Sequence, residues 1–497
     1  MINEGMIPLF VAVPLAGAFL AALFKRLGWI PDLLGVLASL FSFCLSLHFI
    51  LDTAPGASFA VNVGGWGSFP EVMGKVVGIR LVLDGFTVFM LAIVNFVALW
   101  VSIYAVGYMK RYTGRWQFYT LFLLMLAGMN GVLITGDMFN MYVFIEIASI
   151  ASYALVAFGV GKRELEASFK YAVMGGMASL LILLAVVFLY ASTGTLNMGD
   201  MREILSGTHY SGLVYLVFGL LLTGFGLKAA LVPFHAWLPD AHPSAPAPIS
   251  AMLSGVLIKA LGVYTIARIF FDVFGFPHQV SIILLVLAAI SMGVGALVAL
   301  RQWDMKRLLA YSSISQVGYI MLGFGIGTPL GVMGALFHLF NHSMFKSLLF
   351  LASGAVEYST GTRNMKEMGG LNRKMPVTGG TALAGAMSLA GIPPFAGFWS
   401  KLVIIVAAVQ AHHMKLAAWA ALMSIITIVY VFRITRYAFL GELKEKLAGI
   451  KEVPLLMRVS LIILALACIL GGLVLLPQVR KMFLSPAVRV LIGMGGV

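Results

Sequence analysis

In the stretch "GLKAALVPFHAWLPDAHPSAPAPISAMLSGVLIKALGVY", residues 226–264, two lysines and two histidines interrupt an otherwise apolar, proline-rich run. Lys228 and Lys259 are matched, in apolar surroundings elsewhere, by Lys346, Lys401 and one glutamate, Glu146, in "MFNMYVFIEIASIASYAL". The segment "LFHLFNHSMFKSLLFL" sets His338, His342 and Lys346 four residues apart. Each such step turns only about 40° around an α-helix, so the three share one face. Amines, carboxylates and imidazoles hold and pass protons, and imidazole does so near neutral pH. Two histidines at i and i+4 can also bind zinc, but no carboxylate or cysteine accompanies them and a lysine one turn on repels a cation. No metal and no cofactor is therefore expected. The blander readings are core histidines with satisfied nitrogens, and lysines that snorkel or hold a salt bridge.

The cost of such residues follows from composition. The chain has 497 residues, 61% hydrophobic and 10% charged, with mean hydropathy +1.00. A water-soluble fold could not hide so much apolar surface, and the chain reads as an all-α polytopic membrane protein. One charge at the centre of a span costs about 2.5–3.5 kcal/mol, so four lysines and Glu146 would cost on the order of 10 kcal/mol if uncompensated. Pairing or water must offset that. Cys44 and Cys468 stand alone in apolar runs and signal neither a disulfide nor a metal site. The net charge of +14 is scattered over short loops without an aromatic and basic surface, so topology explains it better than a nucleic-acid partner does.

Windows of about 20 apolar residues give fourteen spans, at 5–24, 29–51, 83–109, 115–134, 138–159, 166–191, 211–232, 248–271, 279–300, 304–326, 329–357, 377–410, 414–440 and 456–477. Segment 52–82, with "FAVNVGGWG" and "GKVVGIRLVL", reads as an external hairpin, because glycine and β-branched residues replace a helical pattern. The first apolar run has no basic residue before it and reads as a retained span. With the N-terminus outside, 21 of the 33 basic residues fall in inward loops and 8 in outward segments. That bias follows the positive-inside rule, and the even span count puts both termini outside the cell (cytoplasmic) membrane. The remaining four are Lys228, Lys259, Lys346 and Lys401, all within spans.

Prolines add a second signal. Pro233, five residues after Lys228, must interrupt span 7, and "PFHAWLP", with His235, continues as a second segment. Span 12 repeats the device as "GIPPFAGFWSK", ending in Lys401. Broken helices at corresponding positions of two repeats mark an ion pathway at mid-membrane. Ser250 and Ser254 on span 8, and Ser312, Ser313, Ser315 and Gln316 on span 10, can hold water among the charges, although single hydroxyls often bond back to their own helix.

Together "KAALVPFHAWLPDAHPSAPAPISAMLSGVLIK", "LLAYSSISQVGY", "FHLFNHSMFKSLLFL" and "GIPPFAGFWSK" resemble the antiporter-like subunits shared by respiratory complex I, Mrp-type cation/proton antiporters and membrane-bound energy-converting hydrogenases. The resemblance covers nearly the whole chain. It implies about fourteen transmembrane helices, with two inverted five-helix repeats at spans 4–8 and 9–13 and broken helices 7 and 12. The implied units are 1–112 (helices 1–3 and hairpin), 113–272 and 279–440 (the repeats) and 441–497 (helix 14). By position Glu146 matches the family's glutamate on helix 5, Lys228 its partner lysine on helix 7, Lys259 the central residue of helix 8, and Lys401 the lysine of helix 12. His338 and His342 lie in the linking region of helix 11. Lys401, where M-type complex I subunits carry glutamate, favours the D-type Mrp antiporter protein and its hydrogenase relatives; the chain also lacks the long lateral helix of L-type subunits.

The expected function is proton movement along a hydrated axis formed by Glu146, Lys228, His235, Lys259, His338, His342, Lys346 and Lys401. Other membrane subunits, the lipid bilayer, H⁺ and, as a second ion, Na⁺ are the expected partners. No catalytic centre is expected in this chain, which would be driven by a partner's redox reaction or by an ion gradient. A stand-alone transporter of a small solute ranks below this, because a substrate pocket needs fewer charges on fewer helices. A quinone enzyme is opposed by the lack of any redox motif, and a scaffold would require a dry axis.

Overall fold

The computed structural model describes residues 4–52, 57–63, 78–206 and 210–493. Helices α1 (Leu9–Leu23) and α2 (Ile30–Asp52) lead into a hairpin of β1 (Phe59–Asn62) and β2 (Arg80–Leu83), paired antiparallel with Phe59 opposite Leu83. The rest of the expected hairpin, including Lys75, lies outside the described residues. Then follow α3 (Gly85–Tyr108), α4 (Arg115–Ile134), α5 (Met138–Val156), α6 (Lys162–Thr193), the short α7 (Met198–Leu205), α8 (Gly212–Lys228), α9 (Leu238–Ser244) and α10 (Ala247–Val273). The second half runs through α11 (His278–Ala299), α12 (Met305–Ile326), α13 (Pro329–Thr360), α14 (Pro376–Ala390), α15 (Ala396–Gln410), α16 (Met414–Ile434), α17 (Leu455–Leu470) and α18 (Pro477–Leu491).

Among the described residues, 11 helices are long and apolar enough to cross a bilayer, and the chain is an all-α polytopic membrane protein. The other three expected spans are met in two ways. α13 has 32 residues, diluted by its own His, Asn, Ser and Lys side chains. Spans 7 and 12 are broken, as α8 with α9 and as α14 with α15. One element was not expected: α18, too charged for a span, folds back on α3 and α13, with Pro486 against Gly85.

Burial sorts the helices. α10 is buried along its whole window, whereas α1, α2, α6 and α16 turn Phe19, Leu37, Phe169, Val173 and Phe432 outward, as lipid-facing helices do. Polar caps set the helix starts: Asp137, Asp304 and Thr328 accept from the backbone N–H of Asn140 (2.7 Å), Arg307 (3.0 Å) and Gly331 (3.2 Å).

α10 departs from the expected regular span. Its segments Leu253–Leu257, Lys259–Val263 and Arg268–Val273 are π-helical, a rare geometry concentrated at functional sites. Gly262, inside the second wide turn, lies so close to the end of α8 that a β-carbon there would stand 2.4 Å from the Ala229 nitrogen and 2.6 Å from its Cα. Only glycine permits that approach.

A repeat that the ionisable residues do not reveal emerges after α6 and α13, where "STGTLNMGD" and "STGTRNMKE" fold alike. Each helix ends on a left-handed glycine, Gly194 (φ 67°) or Gly361 (φ 74°). The Asn197 and Asn364 N–H groups each donate to a threonine two residues back at 3.2 Å, and Asn197 bridges to Asp137 as Asn364 does to Asp304. In the second copy Glu367 accepts from Thr362 (2.7 Å) and Asn364 (2.9 Å), bonds that hold its carboxyl below the usual range.

A Gly262→Val variant should lose about 1–3 kcal/mol through overpacking between α10 and α8. Thermal unfolding in detergent should show a lowered midpoint for it and none for Gly176→Ala, whose added carbon meets nothing within 4 Å.

Candidate functional site

The first break is built around Lys228, the last residue of α8, where the carbonyls of a helix end lack partners. Ala230 takes φ 57° and Pro233 has no N–H, so the helix cannot continue. The loosened backbone is nevertheless satisfied: Trp237 Nε1 donates to the Leu227 carbonyl at 3.0 Å, and the Val232 N–H to Ser291 Oγ at 3.0 Å. Lys228 is 5% exposed. Its Nζ donates to Ser149 Oγ (2.9 Å) and Tyr153 OH (3.4 Å) and lies 3.8 Å from Glu146 Oε1, while Ser179 Oγ donates to the same carboxylate. Glu146 is only partly buried, so this pair has one dry and one wetter partner.

A second group centres on α10, α12 and α13. Lys259 is fully buried and its Nζ donates to the Ser254 carbonyl, five residues back across the π-helical turn. Ser254 Oγ meets Ser313 Oγ at 2.7 Å, Ser313 Oγ donates to the Leu309 carbonyl at 2.9 Å, and Lys346 Nζ reaches that same carbonyl at 2.9 Å. Lys346 also donates to Ser312. Ser254, Ser313 and the Leu309 carbonyl thus lie between the two lysines, and His342 stands one turn before Lys346 on α13.

The second break mirrors the first. α14 ends at Ala390, Gly391 takes φ 76°, and Pro393 and Pro394 separate it from α15. Lys401 Nζ donates to the orphan carbonyls of Leu389 (2.9 Å) and Ala390 (3.5 Å), placing an amine at the negative end of a helix. A side chain at Gly391 would crowd Lys401 Cδ, 3.1 Å from its β-carbon, besides being strained. His338 Nδ1 bonds Ser400 Oγ at 2.9 Å, one residue before Lys401, and its ring is 6.4 Å from that of His342.

The structure therefore pairs Glu146 with Lys228 and gathers Lys259, Lys346, His338, His342 and Lys401 around α13. His235 stands apart, half-buried in the first break. Three groups are not apparent from the sequence. His242 is fully buried against Phe350 (ring centroids 4.5 Å), with no hydrogen-bond partner on either nitrogen among the described residues. Lys306, counted as a loop charge, is 1% exposed, pairs with Glu357 at 3.0 Å and donates to the Ala245 carbonyl at 3.1 Å. Arg268, also counted as a loop charge, is 5% exposed and grips Asp84 through two bonds of 2.6 and 2.8 Å. Each sits next to a span edge, where a hydropathy window cannot tell loop from core.

His338 Nε2, both nitrogens of His342 and the whole Gln316 amide are likewise buried without a partner among the described residues. Buried polar atoms are seldom left so, and ordered water is the usual partner of such groups. Amines, imidazoles and hydroxyls, each able to bind and release a proton, are the groups a proton path needs.

Residues 135–427 match the family described as NADH:quinone oxidoreductase/Mrp antiporter, TM, and residues 71–119 the complex I chain 5 N-terminus. The chain is 37% identical over 487 residues to the N subunit of NADH-quinone oxidoreductase from Desulforudis audaxviator, covering 94% of this chain and 95% of the relative. It is 36% identical over 433 residues to the D subunit of the Na(+)/H(+) antiporter from Alkalihalophilus pseudofirmus, covering 86% and 85%. A chain in the Mrp complex of Dietzia sp. DQ12-45-1b superposes with a TM-score of 0.90 at 29% identity, over 99% of this chain and 98% of that one.

If Glu146 and Lys228 stabilise each other, Glu146→Gln and Lys228→Met should be non-additive in thermal stability. The double variant should lie closer to wild type than the summed singles by about 0.5–3 kcal/mol. Additive losses would mean that the two groups do not interact.

Proposed function

This chain belongs to the NADH:quinone oxidoreductase/Mrp antiporter transmembrane family, and from that premise we propose that it is the proton-translocating, antiporter-like subunit of a multisubunit membrane complex. The observation that carries this reading is the row of buried amines and imidazoles from Lys228 to Lys401, tied by serines and containing ring nitrogens without a partner among the described residues. Protons enter at the Glu146–Lys228 pair, pass to Lys259 and Lys346, and reach Lys401 through His342 and His338. His235, in the first break, has a supporting part.

The pair supplies the switch. At 3.8 Å and an effective dielectric near 20, Glu146 and Lys228 attract by about 4 kcal/mol, and at about 8 Å by half that. Withdrawal of Glu146 removes the stabilisation of the charged amine and favours passage of its proton toward α10; return of Glu146 reloads it. The break after Lys228 gives the movement a place to occur.

Two inverted repeats, 113–272 and 279–440, organise the axis, between an N-terminal unit 1–112 and a C-terminal unit 441–497. In support, the matched turns at Asp137 and Asp304 are separated by five crossings, formed by α5, α6, α8 with α9, α10 and α11. An odd number puts like motifs on opposite sides of the bilayer. The basic residues support both termini facing outward in the cell membrane. The Mrp complex and the complex I and antiporter proteins among its relatives support a setting beside other membrane subunits, with H⁺ as the cargo and the driving energy supplied by the assembly.

The test is proton movement by the intact complex in proteoliposomes. Glu146→Gln should abolish it and Glu146→Asp retain part of it, with assembly unchanged in both. Normal translocation by an assembled Glu146→Gln complex would remove the glutamate from the mechanism.

A further inference from the structure

Away from the proton axis, two cavities adjoin at one end of α10. The first, of about 600 Å³, is lined by Arg80, Asp84, Arg202, Arg268, Asp272 and Arg489. The second, of about 810 Å³, is lined by Leu205, Tyr210, Phe271, Phe274, Phe276 and Leu491. They share Arg202, Asp272 and Gly493, so the charged chamber opens directly onto one with an aromatic wall. Both have the size of ligand sites.

Charge is unbalanced in the polar chamber, where four arginines face two aspartates. Arg268 occupies Asp84, and Asp272 is held by Arg202 at 3.0 Å and Arg268 at 3.5 Å. Arg80 and Arg489 make no ion pair among the described residues, which leaves two guanidinium groups for an anion. Guanidinium favours oxyanions that accept two parallel bonds, as phosphate does. The adjoining cavity adds an aromatic wall beside Arg202, Ser206 and Asp272: Phe271 and Phe276 stack at 3.9 Å, and Tyr210 donates to the Phe274 carbonyl at 2.6 Å. Aromatic side chains at a span end belong to the membrane–water boundary.

We propose that this composite site binds an anionic glycerophospholipid, its phosphate between Arg80, Arg202 and Arg489 and an acyl chain along Phe271, Phe274 and Phe276. Basic pockets between spanning helices hold lipid headgroups by the same physics. A free phosphate would use the first chamber and ignore the second; a lipid needs both.

The test uses the whole complex, equilibrated with vesicles of equal parts phosphatidylcholine and phosphatidylglycerol, then stripped in detergent and weighed by native mass spectrometry. Wild type should retain phosphatidylglycerol in preference to phosphatidylcholine. Arg80→Gln with Arg489→Gln, both outside any ion pair among the described residues, should reduce retention by about tenfold or more. Ser206→Trp, which fills the aromatic-walled groove from an exposed position, should do the same. Inorganic phosphate should not displace the lipid. Equal retention by all three proteins would overturn the proposal. So would displacement by inorganic phosphate with Ser206→Trp silent, the signature of a free-anion site, or a neighbouring protein's segment seated in the groove.

Discussion

An amine buried among hydrocarbon needs oxygen atoms to donate to, and a regular α-helix offers few, because each interior carbonyl already accepts from its own turn. Much of this architecture answers that constraint. Lys401 reaches the carbonyls set free where α14 stops, Lys306 the carbonyl just beyond α9, and Lys259 a carbonyl in the π-helical stretch of α10. Lys228 sits at the end of α8 itself. At these four lysines helix interruption and buried amine occur together, each making the other tolerable, whereas Lys346, on the unbroken α13, donates to the Leu309 carbonyl and Ser312 instead.

The same constraint separates two kinds of lysine. Lys228 and Lys306 have carboxylate partners, Glu146 and Glu357, and removing the proton from either would strand a negative charge. Lys259, Lys346 and Lys401 donate to carbonyls and hydroxyls alone. A neutral amine still donates to such oxygens, so these three can change charge without dismantling their surroundings. Carboxylates therefore belong where a proton is loaded or held, and neutral oxygens where it passes.

Legibility followed the same physics. The spans, the two breaks and every buried ionisable group in mid-span could be read directly, because charge and proline in an apolar run are conspicuous against hydrocarbon. Lys306, Arg268 and His242 were not, since a buried charge at a span edge looks like a loop residue until the neighbouring helices are in place. α18 was missed because its arginines and lysine fail any hydropathy window, although its apolar face packs on α3. The π-helical turns of α10 leave no compositional trace, being imposed by packing such as that of Gly262 on Ala229. The duplicated turn at Ser192 and Ser359 is legible as plain text, in "STGTLNMGD" and "STGTRNMKE", but not in the pattern of buried ionisable residues.

That the lysines give up protons, and do not merely plug open helix ends, is most directly tested at Lys401. Arginine there retains a cation able to donate to the Leu389 and Ala390 carbonyls, but guanidinium does not release its proton in a protein. Proton translocation by the reconstituted Lys401→Arg complex is the measurement. If the amine must release its proton, the assembled complex keeps near wild-type thermal stability and moves no protons. Translocation at the wild-type rate would show that the amine is only a structural cap.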